Sequence, residues 1–216
     1  FNILDKHMYY CKPTYDCIPS VSAIATTGID IEKCEAEGLN EYEFFKKINM
    51  HFCRPNTCIV GYNNIRFDDE FTRYGFFRNF IDPYAWHFKN NNSRWDILDL
   101  VRAAYAFKKD ASLNWHYDED NKPRFKLEFL SVANDIEHSN AHDALADVYA
   151  TISLAKIIHK KQPKMFAYAF NLRDKKHFLF FGNSFLTQDS NNILFDKKKI
   201  RIVTRKKPST NQLNSL

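Results

Sequence analysis

The fold class that the sequence predicts is α/β, and three observations support this prediction. A short β-branched run at residues 57–60 ends in Gly61 and is followed at once by apolar residues at helical spacing, as expected for a buried strand that feeds a helix. A longer amphipathic helical pattern starts near residue 141. With 216 residues and a hydrophobic content of 44%, the chain can bury a core of ordinary size.

The N-terminal quarter is predicted to contain two extended pieces and two helices. Residues 1–4 and 8–11 precede the breaker Lys12-Pro13, which favours a hairpin-like edge of a sheet. Asp30 is a suitable N-cap for a helix that stops at Gly38. A second helix is predicted over residues 40–52, where apolar residues recur at helical spacing.

The middle of the chain predicts a site where a strand meets a helix. Asp68 lies at the start of the helix that follows the strand at residues 57–60, and ligands of open α/β sheets bind where strands end and helices begin. Further along, the pattern predicts a helix from Ile97, a solvated loop at residues 118–123 and a short helix over residues 125–133.

The stretch at residues 138–148 has the layout of a metal-assisted hydrolase. Ser139 and Asn140 are good N-cap residues, so the long helix is predicted to begin close to them. His142 then lies in or just before the first turn, where a neutral imidazole can take a proton from an attacking water. Asp147 lies on the second turn, where its carboxylate can hold a divalent cation that polarises a phosphate.

The residues of this stretch leave two alternatives open. When a His-x-Ala-x-x-Asp pattern occurs alone, its histidine more often packs against a helix or caps it than takes part in catalysis. Asp143 also shares a helix face with Asp147, which makes it a rival metal ligand on geometry alone.

Composition and charge restrict the class of protein. Five cysteines form an odd set without a Cys-x-x-Cys pair, which argues against a disulfide framework or a zinc site and favours a reduced, intracellular protein. No secretion signal and no apolar run near the roughly 20 residues of a membrane helix is present, so we expect a soluble protein. The net charge of +5 is concentrated from Lys160 onward, where 13 Lys and Arg stand against 3 Asp and Glu.

Four segments together resemble the bacterial exonuclease I family, a group of DEDD exonucleases whose fifth active-site residue is histidine. These segments are residues 61–70, 82–86, 92–96 and 136–144, and the resemblance runs from Phe1 to about Lys176. It implies a ribonuclease-H-like exonuclease domain over residues 1–176, with a mixed sheet flanked by helices and the first strand missing. The basic tail at residues 177–216 does not resemble the family. A frameshifted gene, a decaying gene or a fragment would each explain this difference.

The resemblance also implies roles for single residues. It assigns Asp68 and Asp147 as metal-binding carboxylates and His142 as the general base, and it demotes Asp143. In the family four carboxylates bind two Mg²⁺ ions, with Mn²⁺ as a substitute, and two cations roughly 4 Å apart stabilise the attacking and leaving oxygens. The family's first motif, Asp-x-Glu on the opening strand, is expected before Phe1, so two of the four carboxylates are missing from these 216 residues.

Substrate contacts are expected on two further stretches. The first resembles the family's Thr-Gly-Ile loop near the terminal nucleotide, where glycine lets backbone and base approach closely. The second follows the strand at residues 57–60. The expected substrate-binding residues are Thr27, Gly28, Ile29, Asn63, Asn64 and Arg66.

Other aromatic and basic residues have a structural interpretation beside a functional one. Aromatic side chains can stack on bases for about 1 to 3 kcal/mol each, but at helical or strand spacing most belong to a core, and we favour the core for Phe67 and Trp95. The remaining candidates for stacking are Tyr62, Trp86 and Trp115. Arg94 and Arg124 can contact phosphates, although a lone arginine is usually a surface residue.

The expected function is therefore 3′→5′ hydrolysis of single-stranded DNA to 5′-mononucleotides, in DNA repair and recombination. We expect a cytoplasmic monomer that also contacts single-stranded DNA-binding protein. Two alternatives stay open. One is a non-catalytic remnant that binds single strands or nothing, and the other is an RNA-trimming enzyme of the same superfamily, because no residue shows whether a 2′-OH is read.

Overall fold

The structure, a computed structural model, describes residues 2–16, 18–137 and 144–174. The described α-helices are α1 Val21–Thr27, α2 Ile31–Glu37, α3 Glu41–Phe52, α4 Asp68–Arg78, α5 Ile97–Ser112, α6 Leu127–Ala133, α7 Ala144–Lys161 and α8 Pro163–Asn171. The described strands are β1 Cys58–Gly61, β2 Ser93–Asp96, β3 His116–Tyr117 and β4 Pro123–Arg124. This succession of strands and helices confirms the α/β class.

None of the described helices is both long and apolar enough to cross a membrane. The domain boundary predicted after residue 176 and the basic tail lie outside the described residues.

The sheet beside the candidate site is formed by β1 and β2, which run parallel. Cys58 pairs with Ser93 at one end and Gly61 with Asp96 at the other. The chain passes between them through α4, as parallel strands require a crossover. The prediction for this region began the next element at Ile97 and overlooked β2.

The core is formed by α5, α6 and α7. Val101, Ala104, Leu130, Leu154 and Ile158 are completely buried where these helices meet. Burying a side chain of leucine or isoleucine size contributes about 1.5 to 3 kcal/mol. This cluster therefore fixes the position of α7, and with it Asp147 near its first turn.

Helix α8 was not predicted, because the pattern of α7 ends in Lys160-Lys161 and a proline follows. Pro163 instead occupies the first turn of α8, where a missing N–H costs nothing. Phe166 and Phe170 of α8 lie edge-on to Trp95, with ring centroids 5.2 and 5.1 Å away. The core assignment of Trp95 is thus confirmed.

The N-terminal segment differs from its prediction. Residues 2–10 contain no strand, so the expected hairpin-like edge is wrong for this part of the chain. Cys11 alone forms a bridge, to Leu39, where Lys12 N donates to the Leu39 carbonyl at 2.7 Å. A strand needs a partner along its length, and this extended segment meets one only at that point.

Helices α2 and α3 begin where their capping residues predict. The Asp30 side chain accepts hydrogen bonds from the backbone N–H groups of Glu32 and Lys33, and the Asn40 side chain accepts one from that of Glu43. Side chains that satisfy first-turn donors in this way stabilise a helix by about 1 kcal/mol.

Helix α4 packs on α3 at a point of close approach. A Cβ built on Gly75 would lie 1.9 Å from the Phe45 ring, so only glycine leaves room for that ring. Phe76 is completely buried beside it, edge-on to Phe45 at 5.9 Å. Phe67 precedes Phe76 by nine residues, or two and a half helical turns, and therefore lies on the opposite side. The core assignment of Phe67 is wrong, since this side chain is 58% exposed.

The two adjacent phenylalanines of α4 provide a matched test of this packing. Phe76→Ala is expected to lower the free energy of unfolding by about 3 to 5 kcal/mol, because it leaves a cavity between α3 and α4. Phe77→Ala removes the same atoms from a side chain that is 71% exposed, so its effect should stay below about 1 kcal/mol. Urea unfolding followed by circular dichroism measures both. Equal losses would show that α4 does not pack as described.

Candidate active site

The turn after β1 is held by a buried carboxylate. The Asp96 side chain accepts hydrogen bonds from the backbone N–H groups of Asn63 at 2.8 Å, Ile65 at 3.3 Å and Leu98 at 2.9 Å. Burial raises the pKa of Asp96 from its ordinary value, and the three N–H groups oppose that rise. Asp96 thus caps α5 and ties the ends of β1 and β2 together. Sequence reasoning overlooked this residue, although an Asp directly before a helix is a capping signal.

A second buried carboxylate fixes the first turn of α4. Asp69 is 4% exposed, and Arg94 of β2 donates to it at 2.7 Å. The Asn64 amide also donates to Asp69, at 3.4 Å. Arg94 therefore anchors α4 to β2, which accounts for this side chain without the phosphate contact considered from the sequence.

Asp68, the neighbour of Asp69, lies on the wall of a cavity. Within the described part of the chain, no other residue forms a hydrogen bond or ion pair with its carboxylate. The residue as a whole is exposed, yet desolvation at the cavity wall raises the pKa of its carboxyl, and the charges of Asp69 and Asp96 act in the same direction. A carboxylate in this setting is stabilised by a cation.

The cavity beside β1 has a volume of about 1430 Å³, and both predicted metal carboxylates line it. Asp68 lines it from the start of α4 and Asp147 from the first turns of α7. Three basic side chains line the same cavity, namely Arg102, Arg124 and Lys126. The lining also includes Asp69 and Glu128, which pair with Arg94 and Lys126. Carboxylates and cations around one cavity suit a phosphodiester with a divalent cation at its reacting end.

The chemistry of the donors fits a hard cation in part. Carboxylate oxygens are the ligands that Mg²⁺ prefers, and Mg²⁺ takes six ligands of which several are waters. Among the described residues, no group of three His, Cys, Asp or Glu could hold a metal ion. Asp68 and Asp147 alone would therefore leave most of the oxygen coordination of Mg²⁺ to other ligands.

The remaining predicted residues are distributed as follows. Asn63 and Asn64 line the cavity. Arg66 does not, and its guanidinium lies 3.4 Å from Asp99.

Thr27, the last residue of α1, and the following Gly28 and Ile29 are exposed and do not line the cavity. The expected general base, His142, and the rival ligand, Asp143, lie outside the described residues, as do the predicted caps Ser139 and Asn140. The sequence did not single out Arg102 or Lys126, because nothing local distinguishes them from surface cations.

The comparisons with known proteins agree on one family. Residues 1–155 match the family model described as exonuclease. Exodeoxyribonuclease I of Haemophilus influenzae is 56% identical over 177 residues, which cover 82% of this chain and 37% of the relative. The chain thus spans little more than a third of the length of the curated relatives that it matches.

Solved structures give the same result. The crystal structure of Escherichia coli exonuclease I in complex with a dA16 oligonucleotide is 49% identical with a TM-score of 0.79, over 82% of this chain and 38% of that one. An ExoI/SSB-Ct complex is 47% identical with a TM-score of 0.78, over 84% of this chain and 39% of that one.

Proposed function

Because the chain belongs to the exonuclease family, we propose that it supplies the catalytic domain of an enzyme that removes 5′-mononucleotides from the 3′ end of single-stranded DNA. The observation that carries this proposal is the placement of Asp68 and Asp147 on one cavity that also presents three cations. The dA16 oligonucleotide bound by the E. coli relative supports DNA as the substrate. A role in DNA repair and recombination follows from the same proposal.

In the proposed mechanism Asp68 and Asp147 bind divalent metal, for which we propose Mg²⁺. When bound there, a divalent metal would supply the positive charge that stabilises the attacking and leaving oxygens of the phosphodiester. Arg102, Arg124 and Lys126 hold the strand through its phosphates, since their existing surface ion pairs are weak enough to be exchanged.

The next step is proton transfer from the attacking water, which the proposal assigns to His142 from its sequence pattern. Histidine is the residue type that most often transfers protons in this way, because a free imidazole titrates near neutral pH.

The proposed two-ion site requires a larger group of carboxylates than the described residues bring together. We propose that a strand carrying the family's Asp-x-Glu fills the space beside β1. Two features support this: among the described residues β2 is the only strand paired with β1, and Val60 and Val148, which line the cavity, are 46% and 51% exposed. A strand placed there would cover both side chains and bring its two carboxylates to Asp68 and Asp147.

The test uses an extended chain, in which a segment with the proposed Asp-x-Glu strand precedes residues 1–216. Single-stranded DNA labelled at its 5′ end should be shortened stepwise with Mg²⁺, and DNA labelled at its 3′ end should release labelled mononucleotide at once. A single-stranded RNA of the same sequence tests the RNA-trimming alternative. Preferential cleavage of RNA would overturn the proposal of a DNA exonuclease.

His142→Ala in the extended chain is expected to lower turnover by about 10²- to 10⁴-fold, because positioned proton transfer typically contributes that much. The affinity for Mg²⁺, measured by calorimetry, should not change. Loss of Mg²⁺ affinity together with activity would make His142 a metal ligand and contradict its role as the base.

We also propose single-stranded DNA-binding protein as a partner, on the ground that a relative forms an ExoI/SSB-Ct complex. The proposed enzyme acts as a monomer in the bacterial cytoplasm. Size-exclusion chromatography with light scattering tests the monomer.

A further inference from the structure

A short hairpin next to the cavity carries aromatic and basic side chains in a defined arrangement. Strands β3 and β4 are antiparallel, and His116 of β3 is the direct partner of Arg124 of β4. Side chains of directly paired residues lie on the same face of a hairpin. Both approach Phe129 of α6: the His116 ring is stacked on it at 4.8 Å and 11°, and the Arg124 guanidinium lies 5.3 Å from its centroid.

The arrangement is held in place by contacts on both sides. The turn between the strands is closed by the Asp118 side chain, which accepts a hydrogen bond from Lys122 N at 2.8 Å. Asn134, at the end of α6, accepts from Asn114 N and donates to the Asn114 carbonyl, each at 2.9 Å. These bonds join the hairpin to α6 two residues before His116, and they restrict the position of the His116 ring.

The outer side of this arrangement remains open to solvent. His116 is exposed while Phe129 is half-buried, so the face of the imidazole turned away from Phe129 is accessible. Arg124 also lines the cavity that holds Asp68 and Asp147. Arg124 therefore links the stacked rings of His116 and Phe129 to the cavity of the proposed active site.

We propose that His116, Arg124 and Phe129 form a stacking platform for a nucleotide of the single strand bound in the cavity. The base stacks on the open face of His116, whose ring is supported from below by Phe129, and Arg124 contacts the adjoining phosphate. Aromatic faces combined with cations bind single strands with little sequence preference, because every base has a π-face. This inference rests on the proposed function and adds to it a binding site outside the metal-binding carboxylates.

The test is binding and not cleavage, so it needs no metal. The extended chain is titrated into fluorescein-labelled dT16 in EDTA, and fluorescence anisotropy gives the dissociation constant. His116→Ala should weaken binding about fivefold or more, the lower end of what one base-aromatic stack contributes. His116→Phe keeps a ring on Phe129 and should retain binding within about twofold.

Charge is tested separately on the same hairpin. Arg124→Ala should weaken binding and flatten its dependence on salt, because one phosphate contact is lost. Lys122→Ala removes an exposed cation that pairs with Asp120 and does not line the cavity, and it should leave both quantities nearly unchanged.

Two kinds of result would overturn the platform. One is that the unaltered extended chain does not bind dT16, although it contains all three platform residues. The other is that His116→Ala binds as well as the unaltered chain, or that His116→Phe loses as much as His116→Ala. Failure of the proposed function is distinguishable, because the extended chain would then bind dT16 through the platform without cleaving it.

Discussion

Asp147→Asn in the extended chain is expected to lower turnover of 3′-labelled single-stranded DNA by about 10³-fold or more while leaving the fold intact. A single preorganised partner of the transition state already contributes about 10²- to 10³-fold, and a metal carboxylate acts on both reacting oxygens. Asparagine keeps the shape of the side chain but removes its charge. The Thr151 hydroxyl donates to the backbone carbonyl of Asp147 and not to its carboxylate, so this contact of α7 survives the change.

The matched control is Asp110→Asn on α5, which removes the same charge from an exposed helix position that does not line the cavity. Its turnover should equal that of the unaltered enzyme. Thermal unfolding of both variants separates a loss of chemistry from a loss of structure. Turnover of Asp147→Asn within about tenfold of the unaltered enzyme would contradict the role of this carboxylate, since tenfold corresponds to only about 1.4 kcal/mol of barrier.

The parts of the fold that could be predicted are those decided by near neighbours in the sequence. Asp30 and Asn40 cap helices by bonds that reach only two or three residues forward. The run at residues 57–60 and the helix that begins at Asp68 also follow from local spacing. These features place Asp68 at a strand-to-helix junction, so one half of the candidate site was predictable.

The parts that could not be predicted depend on residues far apart in the chain. Asp96 holds the turn at Asn63 and Ile65, more than thirty residues earlier, and nothing at Asp96 shows which donors it will meet. For the same reason, the local sequence around Arg94 does not indicate that this residue pairs with Asp69. The cations of the cavity come from α5, β4 and the segment before α6, and only tertiary packing brings them to Asp68.

The prediction of a hairpin near the N-terminus is wrong for a related reason. Its extended pieces have strand-like composition, but composition does not supply a partner for their backbone groups. The same requirement applies to β1, which in the described part of the chain pairs with β2 alone. The proposed strand would give β1 a second partner and cover the exposed side chains of Val60 and Val148.

The largest difference in activity is accordingly expected between residues 1–216 alone and the extended chain. Alone, the chain should be inactive with Mg²⁺, because Asp68 and Asp147 by themselves cannot support two ions that each demand near-octahedral oxygen coordination. It should also be poorly soluble and only marginally folded, since the cavity wall exposes apolar side chains and a strand edge. The extended chain should be active and should unfold at a higher temperature.

A third protein separates the two contributions of the added strand. In the extended chain with Asp-x-Glu changed to Asn-x-Gln, the strand still covers Val60 and Val148 but brings no charge to the metals. This variant should have the solubility and unfolding temperature of the extended chain and the inactivity of the short one. If residues 1–216 alone were as active as the extended chain, the upstream carboxylates would be dispensable and the four-carboxylate account of this site would be wrong. If instead the neutral variant remained active, the strand would contribute to the site through packing alone, and Asp68 and Asp147 would suffice for metal binding.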